Sequence, residues 1–127
     1  MRATVVKRVS FDAAHFLPGY IGKCAKMHGH HWVVELGVSG EIDLDTGMVI
    51  DFGELSAFLE EKVVERFDHR LVNDIIENPT AENIAVRVLM SFKLWREEQQ
   101  LDVNYGIQGE FVRVWETPDS FVEVQGD

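Results

Sequence analysis

The apolar and polar positions divide the chain into six periodic stretches. From Thr4 to Ala14 the period is two: Val5, Val9, Phe11 and Ala13 share one parity, and Arg8, Ser10 and Asp12 take the other. His15 falls on the apolar parity, so it is expected to project from the buried face of this strand. A loop follows at Pro18, Gly19, Tyr20, Ile21 and Gly22. A second strand is predicted from His28 to Gly40, with Trp32, Val34, Leu36 and Val38 on its buried face and His28 and His30 on the same parity. Asp43, Asp45 and Gly47 mark a turn, and Met48 to Ile50 a short extension. Asp51 with Glu54 three positions later is a capping-box pattern. It opens a helix whose stripe is Leu55, Leu59 and Val63, flanked by Phe52 and Phe58, and which ends at Phe67. Thr80 caps a second helix with the stripe Ala81, Ile84, Ala85, Val88, Leu89, Phe92 and Trp95. Strands are predicted at Tyr105–Glu116 and Ser120–Val124, joined by a turn at Pro118–Asp119.

The order is ββααββ, which predicts an α+β fold: an antiparallel sheet with two helices on one face. In the third strand Val112 and Val114 hold one parity, and Ile107, Phe111 and Trp115 the other. Two helices cover one face only, so the second face is expected to meet another subunit.

At 127 residues the chain is expected to form one domain, 1–127, with a real core. A formal net charge of −10 excludes the basic stripe that a nucleic-acid surface needs. Residues 1–30 differ, carrying Arg2, Lys7, Arg8, Lys23 and Lys26 against Asp12 alone, so an anionic small molecule is drawn to that end. The one cysteine, Cys24, forms no internal disulfide. No signal peptide and no apolar run of roughly 18 residues is visible, so no membrane partner is expected and a reducing cytoplasm is the default location.

The candidate chemistry lies in KCAKMHGHHW, Lys23 to Trp32, which holds Cys24 and three of the five histidines. His28 and His30 share a face and His31 points away. With His15 they offer three imidazoles to a transition metal, and three neutral imidazoles leave the open position that catalytic zinc uses. Three arrangements fit these residues. The spacing from Gly22 through His28 and His30 to Glu35 is that of the first cupin motif, but on an unbroken strand Glu35 points away from the histidines. Cys24 instead closes a structural tetrahedral shell, or it acts as a base beside an open metal, with a thiolate favoured by nearby positive charge. Asp68 and His69 form an acid–imidazole pair in the loop after the first helix. Glu116 ends the apolar row of Val112 and Val114, where a ligand with two adjacent N–H donors would satisfy its oxygens.

FDAAH, CAKMHGH, DFGEL, FDHRLVND, PTAEN and VWET, in that order along the chain, resemble the 6-pyruvoyl-tetrahydropterin synthase and 6-carboxytetrahydropterin synthase family, of tunnelling fold. The resemblance implies zinc on His15, His28 and His30, Cys24 as the proton-abstracting residue, and Asp68 and His69 as the rest of a proton relay. It further implies that Glu116 anchors the pterin ring and that Thr80 and Glu82 help line the pocket near a subunit boundary. The implied substrate is 7,8-dihydroneopterin triphosphate, and the implied assembly a trimer that pairs into a hexamer. The three residues between Cys24 and His28 resemble the carboxy-forming enzymes of the queuosine pathway. That spacing implies 6-carboxytetrahydropterin, acetaldehyde and triphosphate as products. The alternatives are the pyruvoyl-forming reaction and a non-catalytic, zinc-stabilised pterin-binding module. His31, where relatives carry a small polar residue, departs from the pattern.

Overall fold

The computed structural model describes residues 1–126. Four antiparallel strands, β1 (Arg2–His15), β2 (His28–Glu41), β3 (Ile107–Thr117) and β4 (Ser120–Gln125), form one sheet in chain order. Between β2 and β3 the chain crosses one face of the sheet as α1 (Phe52–Leu59) and α2 (Ala81–Glu98). The expected α+β architecture, a sheet with helices on one face, is the one observed.

The helices form where the sequence supplies caps and stripes. Asp51 accepts the Gly53 N–H at 2.7 Å, and Thr80 accepts that of Asn83 at 3.0 Å, each satisfying a donor that the first turn leaves free. Leu55, Phe58, Leu59 and Val63 are fully buried, and every member of the α2 stripe is buried. They meet Phe11, Trp32, Val34, Leu36, Val112 and Val114 from the sheet. Burying each such side chain is worth about 1.5–3 kcal/mol, so this interface dominates the stability of the fold.

The structure adds local detail at four places. Phe52, placed beside the first stripe, is 59% exposed at the first position of the helix. The first helix ends at Phe67 as expected, with a π turn at Glu60–Val64 between its α-helical parts Phe52–Leu59 and Glu65–Phe67. The short extension Met48–Ile50 pairs into no strand, and Val49 and Ile50 are buried as the chain drops into the core. Before β3 a helical turn, α3 (Leu101–Asn104), buries Leu101 in a stretch for which no element was predicted.

β2 pairs with β1 along its whole length, His15 opposite His28 and Arg2 opposite Glu41. Its pairing with β3 begins only at Val33, opposite Trp115. From His28 to Trp32, therefore, β2 has a neighbour on one edge alone. This split end positions the site.

Candidate metal centre and substrate cleft

The β1–β2 register puts Ala13 opposite His30 and His15 opposite His28, so the three imidazoles gather on the helix-facing side of the split end. Their ligand nitrogens lie within 4.8 Å of one another. Trp32 forms the floor: its ring is fully buried, its Nε1–H donates to the Ala13 carbonyl at 3.1 Å, and His15 and His30 stand edge-on to it at 4.9 and 5.3 Å.

Backbone carbonyls aim two of these rings. His15 Nδ1–H donates to the Pro79 carbonyl at 2.8 Å and His28 Nδ1–H to the Lys26 carbonyl at 2.7 Å. In the neutral form of each ring Nε2 is then a bare lone pair, and the two Nε2 atoms face each other at 3.1 Å. Lone pairs held face to face call for a cation between them. Tetrahedral zinc with nitrogens at about 2.0–2.1 Å sets its ligands roughly 3.4 Å apart, close to this spacing. The third nitrogen, His30 Nε2, is buried and has no hydrogen-bond partner among the described residues. Its burial lowers the pKa of His30, the neighbouring His28 and His15 push the same way, and Glu116 opposes them. A neutral imidazole is the form that binds metal. The donor set fits a transition-metal ion with an open position.

The other predicted residues fall into two groups. Glu116 reaches the cluster, with its oxygens 3.5 Å from His30 Nε2 and 4.0 Å from His15 Nε2. Thr80 follows the carbonyl that orients His15 and caps α2, while Glu82 is exposed. Cys24 is half-buried on the 3-10 turn Lys23–Ala25, its carbonyl accepting the Leu17 N–H at 2.8 Å. Among the described residues, the group that closes on a metal position is the three histidines without Cys24.

Asp68 and His69 lie along the free edge of β1. Asp68 accepts the Asp12 N–H at 3.0 Å and sits 2.9 Å from His69 Nδ1, and the His69 N–H donates to the Asp12 carbonyl at 2.7 Å. The Asp12 peptide, then His69, hold the Asp68 carboxyl below its usual range. His69 itself takes a left-handed backbone, φ 59°.

This latch fixes the opposite edge as well. Asp12 and Ala14 direct their peptide groups outward, to Asp68, His69 and Arg70. By antiparallel geometry their partners His31 and Gly29 direct theirs away from β1, into the gap left by β3. The gap opens a cleft of about 470 Å³ bordered by Gly29, His30, His31 and Glu116, and by Arg8 and Trp115 from the face away from the helices.

Sequence reasoning missed the Pro79 and Lys26 carbonyls, because a backbone acceptor carries no side-chain signal. It also left His31 without a partner. Cross-strand from Asp12, His31 Nδ1 lies 2.8 Å from that carboxylate on the outer face.

Three comparisons bear on this site. The model of the family described as 6-pyruvoyl tetrahydropterin synthase matches residues 4–127. An Archaeoglobus fulgidus protein provisionally named 6-carboxy-5,6,7,8-tetrahydropterin synthase is 41% identical over 116 residues, covering 91% of this chain and 90% of the relative. A dihydroneopterin monophosphate aldolase of Pyrococcus furiosus is 43% identical over 86 residues, 68% of this chain and 71% of that protein. Among solved structures, Caenorhabditis elegans 6-pyruvoyl tetrahydropterin synthase superposes with a TM-score of 0.83 at 26% identity, covering 100% of this chain and 97% of that one.

Proposed function

The chain belongs to the 6-pyruvoyl tetrahydropterin synthase family, and on that premise we propose that it is a zinc-dependent 6-carboxy-5,6,7,8-tetrahydropterin synthase. It would convert 7,8-dihydroneopterin triphosphate and one water to 6-carboxytetrahydropterin, releasing acetaldehyde and triphosphate, in queuosine-type biosynthesis. The observation that carries the reading is the pair of bare imidazole nitrogens 3.1 Å apart, beside a third without a partner and a carboxylate 3.5 Å away. The name of the Archaeoglobus relative and the Cys24-x3-HGH spacing favour the carboxy product.

His15, His28 and His30 would hold the zinc, whose Lewis acidity would stabilise negative charge developing on the substrate's side-chain oxygens. Glu116 receives the pterin ring: its two oxygens accept two adjacent ring N–H groups, which fixes the side chain against the histidine cluster. Cys24 takes the proton from carbon. Asp68 and His69 carry the proton onward, the carboxylate holding the imidazole in its donor tautomer. Thr80 and Glu82 complete the pocket where copies of the chain meet. Phe111, Trp115 and Phe121 sit together on the sheet face away from the helices, and Phe121 is 48% exposed. We assign that face to contacts within a homo-oligomer, a trimer pairing to a hexamer.

Incubation with dihydroneopterin triphosphate, followed by mass spectrometry, tests the reading. Equal amounts of 6-carboxytetrahydropterin and acetaldehyde are expected. 6-Pyruvoyltetrahydropterin alone, without acetaldehyde, would sink the carboxy assignment. The Pyrococcus relative supports a second reading, an aldolase acting on dihydroneopterin monophosphate. Turnover of the monophosphate in preference to the triphosphate would select it.

A further inference from the structure

The latch along the free edge of β1 does not stop at Asp68 and His69. In an extended strand alternate residues direct both peptide groups to the same side, and on this edge those residues are Asp12, Ala14 and Phe16. Asp12 is taken up by Asp68 and His69. The Ala14 N–H donates to the Arg70 carbonyl at 3.1 Å, and Leu71 bridges to Ala14. Phe16, one residue past the strand, is met by a side chain instead. Its N–H donates to Asn73 Oδ1 at 3.0 Å, and its carbonyl accepts from Asn73 Nδ2 at 2.9 Å. One amide takes the place of a neighbouring peptide, and a single orientation of it serves both groups. Asn73 lies on the 3-10 turn Val72–Asp74, which the fully buried Val72 fixes to the core.

Phe16 opens the segment that carries Cys24 and returns to β2 at His28. No residue from Phe16 to Met27 belongs to the buried core, and Tyr20, Ile21 and Met27 are exposed. Hydrogen bonds therefore decide where this segment lies. Its backbone bonds are internal: the Leu17 N–H donates to the Cys24 carbonyl at 2.8 Å, Tyr20 to Leu17, Ala25 to Gly22 and Lys26 to Lys23. Among the described residues, two side chains hydrogen-bond it to the rest of the molecule, His28 on the Lys26 carbonyl and Asn73 on Phe16. The path from the amide to the cysteine is short, through Phe16 and Leu17 to the Cys24 carbonyl.

We propose that Asn73 is a positioning residue for Cys24. It fixes the base of the cysteine loop on the same ladder that holds Asp68 and His69, so the proton-abstracting thiol and its relay keep one relative geometry. The proposal rests on the reading above of Cys24 as the base. His15 has supports of its own, its pairing with His28 and the Pro79 carbonyl, so metal binding does not depend on the amide. The rate does, because in a positioned reaction a shift of about 1 Å costs on the order of 10²-fold.

The test measures turnover of dihydroneopterin triphosphate by wild type, Asn73→Ala, Cys24→Ala and the double variant. Asn73→Ala is expected to lower kcat roughly 10- to 100-fold, with KM changed far less and zinc content unchanged. In the Cys24→Ala background the same change should alter the residual rate by less than about 2-fold, since a residue that acts through the thiol has nothing left to position. Cys24 is the single cysteine, so its alkylation by iodoacetamide, followed by mass spectrometry, is a second readout. Loosening the loop should raise that rate several-fold. Asn73→Asp keeps the shape of the side chain and the bond from the Phe16 N–H but loses the donation to its carbonyl. It moves both readouts the same way even if the alanine variant does not fold. A kcat or an alkylation rate left unchanged, or an equal fractional loss with and without the thiol, overturns the proposal. Full turnover by Cys24→Ala overturns instead the reading of Cys24 as the base, and this proposal with it.

Discussion

β2 is one strand with two unlike halves. From Val33 to Gly40 it is paired on both edges and its helix-facing row is Val34, Leu36 and Val38, each fully buried. From His28 to Trp32 it keeps β1 but loses β3, and the same row continues as His30 and His28. The paired half spends its backbone groups on the ladder and its side chains on the core. The split half is just as firmly registered by β1, yet its other edge and its imidazole nitrogens are left for a ligand. A site built this way has the rigidity of a sheet and the access of a loop.

The largest expected effect lies just before the split half. Cys24→Ala should lower turnover of dihydroneopterin triphosphate by about 10²–10⁴-fold, the usual contribution of a positioned base, while zinc content is unchanged. Zinc lost together with the thiol would make Cys24 a ligand and favour the closed structural site.

Stability sharpens the contrast between the halves. In metal-free protein, Leu36→Ala should cost about 2–5 kcal/mol in urea unfolding, through lost burial and a cavity. His30→Ala should cost less than about 1 kcal/mol there, since it removes a buried nitrogen without a partner. Equal losses for both variants would show that the split half belongs to the core after all.

The smallest effect concerns the latch behind the split half. Asp68 is held below its ordinary carboxyl value of 3.8, so its folded pKa lies under its unfolded one. Its contribution is then complete above about pH 3.8 and disappears as pH falls through the folded value. Asp68→Asn should therefore be slightly less stable than wild type at neutral pH, with the two converging in acid. A difference that persists at pH 2 would contradict that linkage.

What the sequence disclosed follows the same division. Core rows were legible because a period of two or 3.6 is written directly in side chains; the stripes from Leu55 to Val63 and from Ala81 to Trp95 are buried as expected. Parity likewise placed His15, His28 and His30 on one face and Glu35 on the other. The π turn at Glu60–Val64 and the helical turn at Leu101–Asn104 carry no such signature, since their hydrophobic spacing is compatible with the neighbouring elements. The loss of β3 beside His28–Trp32 was hidden as well, because pairing is a property of two distant segments. So were the Asp12–His31 contact and the carbonyls of Pro79 and Lys26, which meet the imidazoles only after the chain has folded.

The claim that the split end of β2 is a three-histidine metal centre is tested most directly by metal analysis of wild type and His28→Ala after dialysis against a weak chelator. Wild type should retain one zinc per chain and His28→Ala almost none, with both proteins keeping the same far-ultraviolet circular dichroism. Zinc retained in full by His28→Ala, or absent from wild type after reconstitution, would contradict the account.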